Sequence, residues 1–184
     1  MEKMIVIAAG SLAIGMLSWR SWVRGRTAVH GFYRFFAFCA LLALVVMNLD
    51  YWSRDPDSIH QIVSKLLLYG SLFLALPAFY FLIKIGRPTP AAPESTTVGF
   101  ENTSRLVTTG IYRFLRHPMY ASLVWLVWGV ALKHVTPGRI ALAIIATGFL
   151  VATAKVEERE NIERFGEEYR TYMTRTRRFI PFLF

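Results

Sequence analysis

Apolar residues in this chain fall into separate runs, each near the ~20 residues that cross the hydrocarbon core of a bilayer as helix, with polar or turn-forming residues between them. The runs cover about 4–23, 32–52, 62–85, 119–135 and 140–156. Thr136, Pro137, Gly138 and Arg139 separate the last two runs as a tight turn, so these form a helical hairpin. Pro77 inside the third run predicts a kink, because it removes one helical hydrogen bond and crowds the preceding turn. From Gly86 to Arg116 the pattern changes: Pro88, Pro90, Pro93 and a Ser/Thr-rich stretch deny apolar periodicity, which predicts a long functional loop over 86–116. Beyond Lys155 the chain is highly charged, yet Ile162, Phe165, Tyr169 and Tyr172 recur at helical spacing on one face. The expectation is an all-α integral membrane bundle of five transmembrane helices forming a single domain over 1–184. A C-terminal amphipathic cytoplasmic helix over 157–178 lies against the bundle or the membrane surface.

Composition agrees with this pattern. Hydrophobic residues make up 54% of 184 residues and charged residues 18%, and a mean hydropathy of +0.40 is too apolar for a soluble domain of this size. The net charge of +9 does not point to nucleic acid, because the Lys and Arg residues flank apolar runs instead of clustering on one soluble face. They read as topology signals and headgroup contacts. Only Lys3 precedes the first run, and Arg20, Arg24, Arg26 and Arg34 follow it, which places the N-terminus outside as an uncleaved span. The acidic loop with Asp55 and Asp57 then lies outside, Lys84 and Arg87 mark the cytoplasmic side, and the C-terminus is cytoplasmic. Cys39, the single cysteine, sits in an apolar run and excludes an intrachain disulfide. His30, His60 and His134 stand in different connections without acidic or thiol companions at ligand spacing, so no metal is expected.

Two segments place polar residues where a bundle meets cytosol: LVTTGIYRFLRHPMY over 106–120 and EERENIERFGEEYRTYMTRTRRFIP over 157–181. Pro118 suits the first turn of the fourth span, where free backbone NH groups could receive a carboxylate, with Arg116 and His117 at its mouth. Two readings of these residues stand side by side. In the plainer one Arg116 snorkels, His117 caps the helix and Tyr120 belongs to an interfacial belt. Glu157 and Glu158 are then a solvated start to an amphipathic helix, and Arg175, Arg177 and Arg178 are membrane-surface anchors.

The LVxxGxY and RHPxY blocks ahead of a hairpin, followed by a Glu-Glu pair leading into FGxxYxxY and a basic stretch ending in proline, resemble the isoprenylcysteine carboxyl methyltransferase and phospholipid methyltransferase superfamily. The resemblance implies a membrane methyltransferase using S-adenosyl-L-methionine and a hydrophobic or amphipathic acceptor drawn from the membrane lipid bilayer side. It implies that Glu157 meets the ammonium of the cofactor, and that Arg105, Leu106, Val107, Tyr112, His117, Pro118, Met119 and Tyr120 enclose the rest. Glu158 points about 100° away round the helix. Arg116 and Thr153 are the candidate acceptor contacts. Thr153 departs from the pattern of the prenylcysteine enzymes, which carry an arginine one turn before the glutamate. A threonine cannot give a carboxylate the bidentate contact of an arginine, so a neutral, amine, thiol or phospholipid acceptor is favoured over a prenylcysteine carboxylate. Membrane sterol and steroid reductases, which use a nicotinamide cofactor and have RHPxY-like and YG-like blocks, are the rival enzyme class. A non-catalytic membrane protein retaining the fold is the third reading.

Overall fold

The computed structural model describes residues 2–23, 30–87 and 103–180, with side chains from 17 to 23 and at residue 30 left undescribed. Arg20 as a side chain, Arg24, Arg26, His30 as a side chain, the three prolines of the 86–116 loop and Pro181 therefore lie outside the described residues. The chain forms helices α1 (Glu2–Val23), α2 (His30–Asn48), α3 (Ile59–Gly86), α4 (Pro118–Ala131), α5 (Pro137–Phe165) and α6 (Glu167–Arg175), with short 3-10 turns at Leu49–Tyr51 and Gly110–Arg113.

Among the described residues three helical stretches are long and apolar enough to span a membrane, 31–51, 59–86 and 137–165, with α4 a shorter apolar helix. α3 leaves Leu66, Tyr69, Leu72, Phe73 and Leu76 exposed along its length, which suits a lipid solvent and no aqueous one. α3 packs on α4, α2 on α5, α1 on α2, and α4 on α5. Small side chains line these contacts: Ala37 and Ala40 of α2, Ala121 and Ala131 of α4, Ala143, Ala146 and Ala154 of α5, around Leu44, Val127, Val130 and Leu150. Lipid tails are as apolar as a leucine, so close backbone approach and interhelical hydrogen bonds hold such a bundle. Ser64 donates to the Gly129 carbonyl at 2.6 Å across α3 and α4, and Trp128 Nε1 donates to Thr147 Oγ1 at 3.2 Å across α4 and α5.

The expected turn starts α5: Thr136 is its N-cap and accepts from the Arg139 backbone, with Pro137 in the first turn. The expected boundary between a fifth span ending at 156 and a separate C-terminal helix starting at 157 is different in the structure. α5 runs unbroken to Phe165, because Lys155–Phe165 contains neither proline nor glycine and is rich in strong helix formers. The composition change at Lys155 marks a change of solvent, not the end of a helix. The break comes at Gly166, whose φ of +58° is open to glycine at little cost. Glu157 and Glu158 consequently sit inside α5, away from any helix start, and α6 is a short return ending at Arg175.

Candidate functional site

The site forms where the N-terminus of α4, the charged C-terminal half of α5 and the returning C-terminal segment meet. Residues 103–117 are tied to α3 at one side: the backbone NH groups of Ser104 and Arg105 both donate to the Gly86 carbonyl, at 2.9 and 3.3 Å. Gly110, with a φ of +62°, lets the backbone press against the Phe81 ring, where any Cβ would collide. That turn carries Tyr112 into a small core with Ala78 and Val107. On the other side the chain after α6 runs beside 114–117 as a short parallel bridge, Leu115 against Arg177. Arg116 N donates to Arg177 O at 2.7 Å, His117 N to Arg178 O at 3.2 Å, and Arg177 N to Phe114 O at 3.1 Å.

Two consecutive carboxylates of α5 lie on either side of the His117 ring there, with its Nε2 3.4 Å from Glu158, and otherwise meet different partners. Glu158 is buried, 4% exposed, and takes the Arg116 Nε at 2.8 Å and the Arg178 Nη2 at 2.6 Å. Arg116 also donates to the Met173 carbonyl at 3.1 Å and to the Thr176 carbonyl. One buried anion thus clamps α5, the RHP turn and the C-terminal segment together. Removing the anion of such a cluster costs about 3–5 kcal/mol, because the guanidinium groups then lack their counter-charge.

Glu157 has a side chain 31% exposed and accepts a hydrogen bond from the Tyr120 phenol at 2.5 Å. His117 Nδ1 lies 4.0 Å from it, and the His117 and Tyr120 rings stack at 5.6 Å. No guanidinium pairs with Glu157 among the described residues. It borders a cleft of about 80 Å³ with Tyr112, Arg116, His117, Pro118, Met119 and Tyr120, closed on the α3 side by Leu82. Burial, reinforced by the Glu157 charge, pushes the Tyr112 phenol above its usual range, so it stays protonated at neutral pH. The Tyr172 hydroxyl, also pushed up by burial, donates to the Tyr112 carbonyl at 2.7 Å. A larger polar cavity of about 750 Å³ lies outward, lined by Thr108, Arg113, Glu167, Glu168, Tyr172 and Arg175 among others.

Of the residues singled out in the sequence, Tyr112, Arg116, His117, Pro118, Met119, Tyr120 and Glu157 share the cleft. Val107 is buried behind Tyr112, and neither Arg105, which is exposed, nor Leu106 borders the cleft. Thr153 is fully buried one turn before Glu157, with its hydroxyl donated to the Phe149 carbonyl at 2.7 Å. His117 occupies the N-cap position of α4 without a side-chain capping bond. The Arg178–Glu158 pair and the Tyr172–Tyr112 bond are not visible in the sequence pattern, in which Arg178 reads as a surface anchor and Tyr172 as one residue of an amphipathic face. The available signal was the need of a second acid, turned away from the first, for its own cation.

A phospholipid methyltransferase family model matches residues 59–168. Methanethiol S-methyltransferase 1 of Bradyrhizobium diazoefficiens is 36% identical over 85 residues, 46% of this chain and 29% of the relative. Protein-S-isoprenylcysteine O-methyltransferase B of Arabidopsis thaliana is 30% identical over 135 residues, 72% of this chain and 61% of the relative. The corresponding Saccharomyces cerevisiae protein is 33% identical over 84 residues, 45% of this chain and 35% of the relative. The chain therefore aligns with under a third of the methanethiol relative and under two thirds of the isoprenylcysteine ones. No solved structure matches significantly.

Proposed function

The chain belongs to the phospholipid methyltransferase family, and from that premise we propose that it transfers a methyl group from S-adenosyl-L-methionine to a hydrophobic or amphipathic acceptor beside Glu157. One observation carries the reading. Of two adjacent carboxylates that share the His117 imidazole between them, Glu158 is neutralised by two guanidinium groups, whereas Glu157 meets a phenol and faces a cleft. A carboxylate without a cation beside an apolar wall favours a positively charged ligand group.

The donor set fits such a group. Glu157 would hold the cofactor ammonium, and the backbone NH groups at the start of α4 would receive its carboxylate, as helix N-termini do. A cleft of about 80 Å³ takes the charged end alone, since whole-ligand pockets run to roughly 300–1,000 Å³. The nucleoside would lie outward, toward the polar cavity beside Arg113 and Tyr172. When bound, the cofactor supplies a methyl on a cationic sulfur, and the new bond forms from an acceptor lone pair as the old bonding pair returns to that sulfur. The protein's part is alignment and dryness. Leu82, Pro118 and Met119 give the cleft that holds the charged end an apolar wall, and fixed orientation lowers the barrier by about 7 kcal/mol or more in favourable cases.

Thr153 bears on the acceptor. Its hydroxyl is engaged with the Phe149 carbonyl and it brings no cation, which supports a thiol, amine or phospholipid acceptor over a prenylcysteine carboxylate. The topology that suits this chemistry has five spans with the Glu157 end in the cytoplasm. The cations Lys84, Arg87, Arg159 and Arg164 at that end support it. Titration with radiolabelled S-adenosylmethionine, in detergent and in lipid vesicles, tests the proposal. Saturable binding is expected in both media; folded protein that binds in neither refutes it. Stabilisation by NADPH instead, in parallel thermal-shift assays, would favour the reductase reading.

A further inference from the structure

A second polar layer lies at the other end of α4, roughly 20 Å from Tyr120 at 1.5 Å per helical residue. Lys133 is 4% exposed. It donates to Gln61 Oε1 at 3.1 Å and to the Trp52 carbonyl at 3.4 Å, with its ammonium 5.1 Å from the centre of the Trp52 ring. Gln61, itself buried, spends its amide NH groups on the Tyr51 and Lys133 carbonyls, both at 3.1 Å. Lys65 stands one turn along α3 and donates to the Pro56 carbonyl at 2.9 Å. Among the described residues neither lysine has a carboxylate within 4.0 Å, although Asp50, Asp55 and Asp57 lie in the adjoining loop and Asp50 is paired with Lys3. Both lysines line a cavity of about 440 Å³ that continues over Leu68, Tyr69 and Leu72.

We propose that this cavity binds one anionic phospholipid of the bilayer, its phosphate between Lys65 and Lys133 and an acyl chain along α3. The spacing carries the shape of the ligand. Gln61, Lys65, Leu68 and Leu72 lie on one stripe of α3, at steps of four, three and four residues. The stripe is polar at the helix start and apolar from Leu68 onward. Tyr69, Leu72 and Leu76 are exposed beyond it and face lipid. Trp52 at the head of the groove marks the depth at which headgroups sit. Burial and the neighbouring Lys65 disfavour the charged form of Lys133, and a phosphate between the two lysines supplies the counter-charge that carbonyls, an amide and an aromatic face do not. A free phosphate would meet the lysines and leave the apolar half of the groove unused. The site stands apart from the Glu157 cleft, so the lipid is a structural ligand and its binding is independent of methyl transfer.

Native mass spectrometry of the full chain in neutral detergent tests this, with dioleoylphosphatidylglycerol as the probe and dioleoylphosphatidylcholine and inorganic phosphate as comparison arms. One phosphatidylglycerol per chain should be retained preferentially, and Lys65→Gln should weaken retention about five-fold, the scale of one Lys near an anionic headgroup. Lys133→Gln should weaken it further, and Lys65, being only half-buried, supplies the variant whose folding is safe. Lys84→Gln, at the opposite end of α3, should retain lipid as the parent does. Equal retention of the two phospholipids, parental retention by Lys65→Gln, an equal loss in Lys84→Gln, or equally tight binding of inorganic phosphate would each overturn the proposal.

Discussion

The two ends of α4 solve the problem of polar groups at a membrane in opposite ways. At the Pro118 end, Arg116 and Arg178 are answered by the buried Glu158, and Glu157 remains with a carboxylate facing a cleft. At the Ala131 end no acid among the described residues answers Lys133, and Arg139 is held by the Met47 carbonyl at 2.8 Å, by His134 and by the face of the Tyr51 ring. The first end is a rigid clamp with a negative group to spare; at the second, Lys133 and Arg139 are held by carbonyls, an amide, an imidazole and aromatic faces. Charge sign, not polarity alone, separates what each end can bind. A cationic cofactor suits the first and an anionic headgroup the second.

The largest expected effect comes from breaking the clamp. Glu158→Gln leaves two half-buried guanidinium groups without their anion, which should cost about 3–5 kcal/mol and lower the melting temperature by several degrees or more, on the order of 2–4 °C per kcal/mol at this size. Thermal unfolding in detergent measures it. A melting temperature within a degree of the parent would mean that Glu158 does not hold the three segments together.

Glu157→Gln sharpens the comparison, because it changes the neighbouring residue with little structural cost. A lost charge-assisted contact of about 1.5–3 kcal/mol corresponds to a cofactor affinity lower by roughly ten-fold or more, with a melting temperature near the parent's. Calorimetric titration with S-adenosylmethionine reads the first quantity and thermal unfolding the second. Parental affinity in Glu157→Gln together with lost affinity in a still-folded Glu158→Gln would assign the ligand to the wrong face of α5.

The difference between those two glutamates was partly legible in the sequence. Adjacent residues on a helix point about 100° apart, so unlike surroundings follow from helicity alone. The partner of Glu158 was not legible, because Arg178 reaches it only through the reversal at Gly166 and the pairing of Arg177 with Leu115. Apolar run lengths and the Thr136–Arg139 turn located α5 at its start, where composition and backbone chemistry agree. They failed at its end, where charged residues that are good helix formers follow the apolar ones. The second polar layer was invisible for a related reason: Lys65 and Lys133 belong to different runs, and only the packing of α3 on α4 brings them to one cavity.

A smaller effect is expected from Tyr172→Phe, which removes a donor to the Tyr112 and Leu115 carbonyls and leaves the ring in place. One neutral hydrogen bond is worth about 1 kcal/mol, so stability should fall by that much. Because the bond fixes the turn that carries Tyr112, cofactor affinity should weaken by a few fold as well. A stability loss without any change in affinity would make Tyr172 a support of α6 alone.

Between the two ends the bundle is held by contacts of another kind, and Thr147→Ala probes them. The Thr147 hydroxyl donates to the Ala143 carbonyl at 2.8 Å within α5 and accepts from Trp128 across to α4. In water the loss of a buried acceptor would leave an indole NH unsatisfied at a cost of about 1–3 kcal/mol. Inside a bilayer, interhelical hydrogen bonds average only about 0.6 kcal/mol, since the separated helices also find partners. The close contacts of Ala121, Ala131, Ala143 and Ala146 carry the packing of this layer instead. Thr147→Ala should therefore shift stability by about 0.6 kcal/mol and leave both cofactor and phosphatidylglycerol binding unchanged. A loss as large as that of Glu158→Gln would transfer the main polar bond of the hairpin from its end to its middle, and the contrast between two charged ends and an apolar centre would fail.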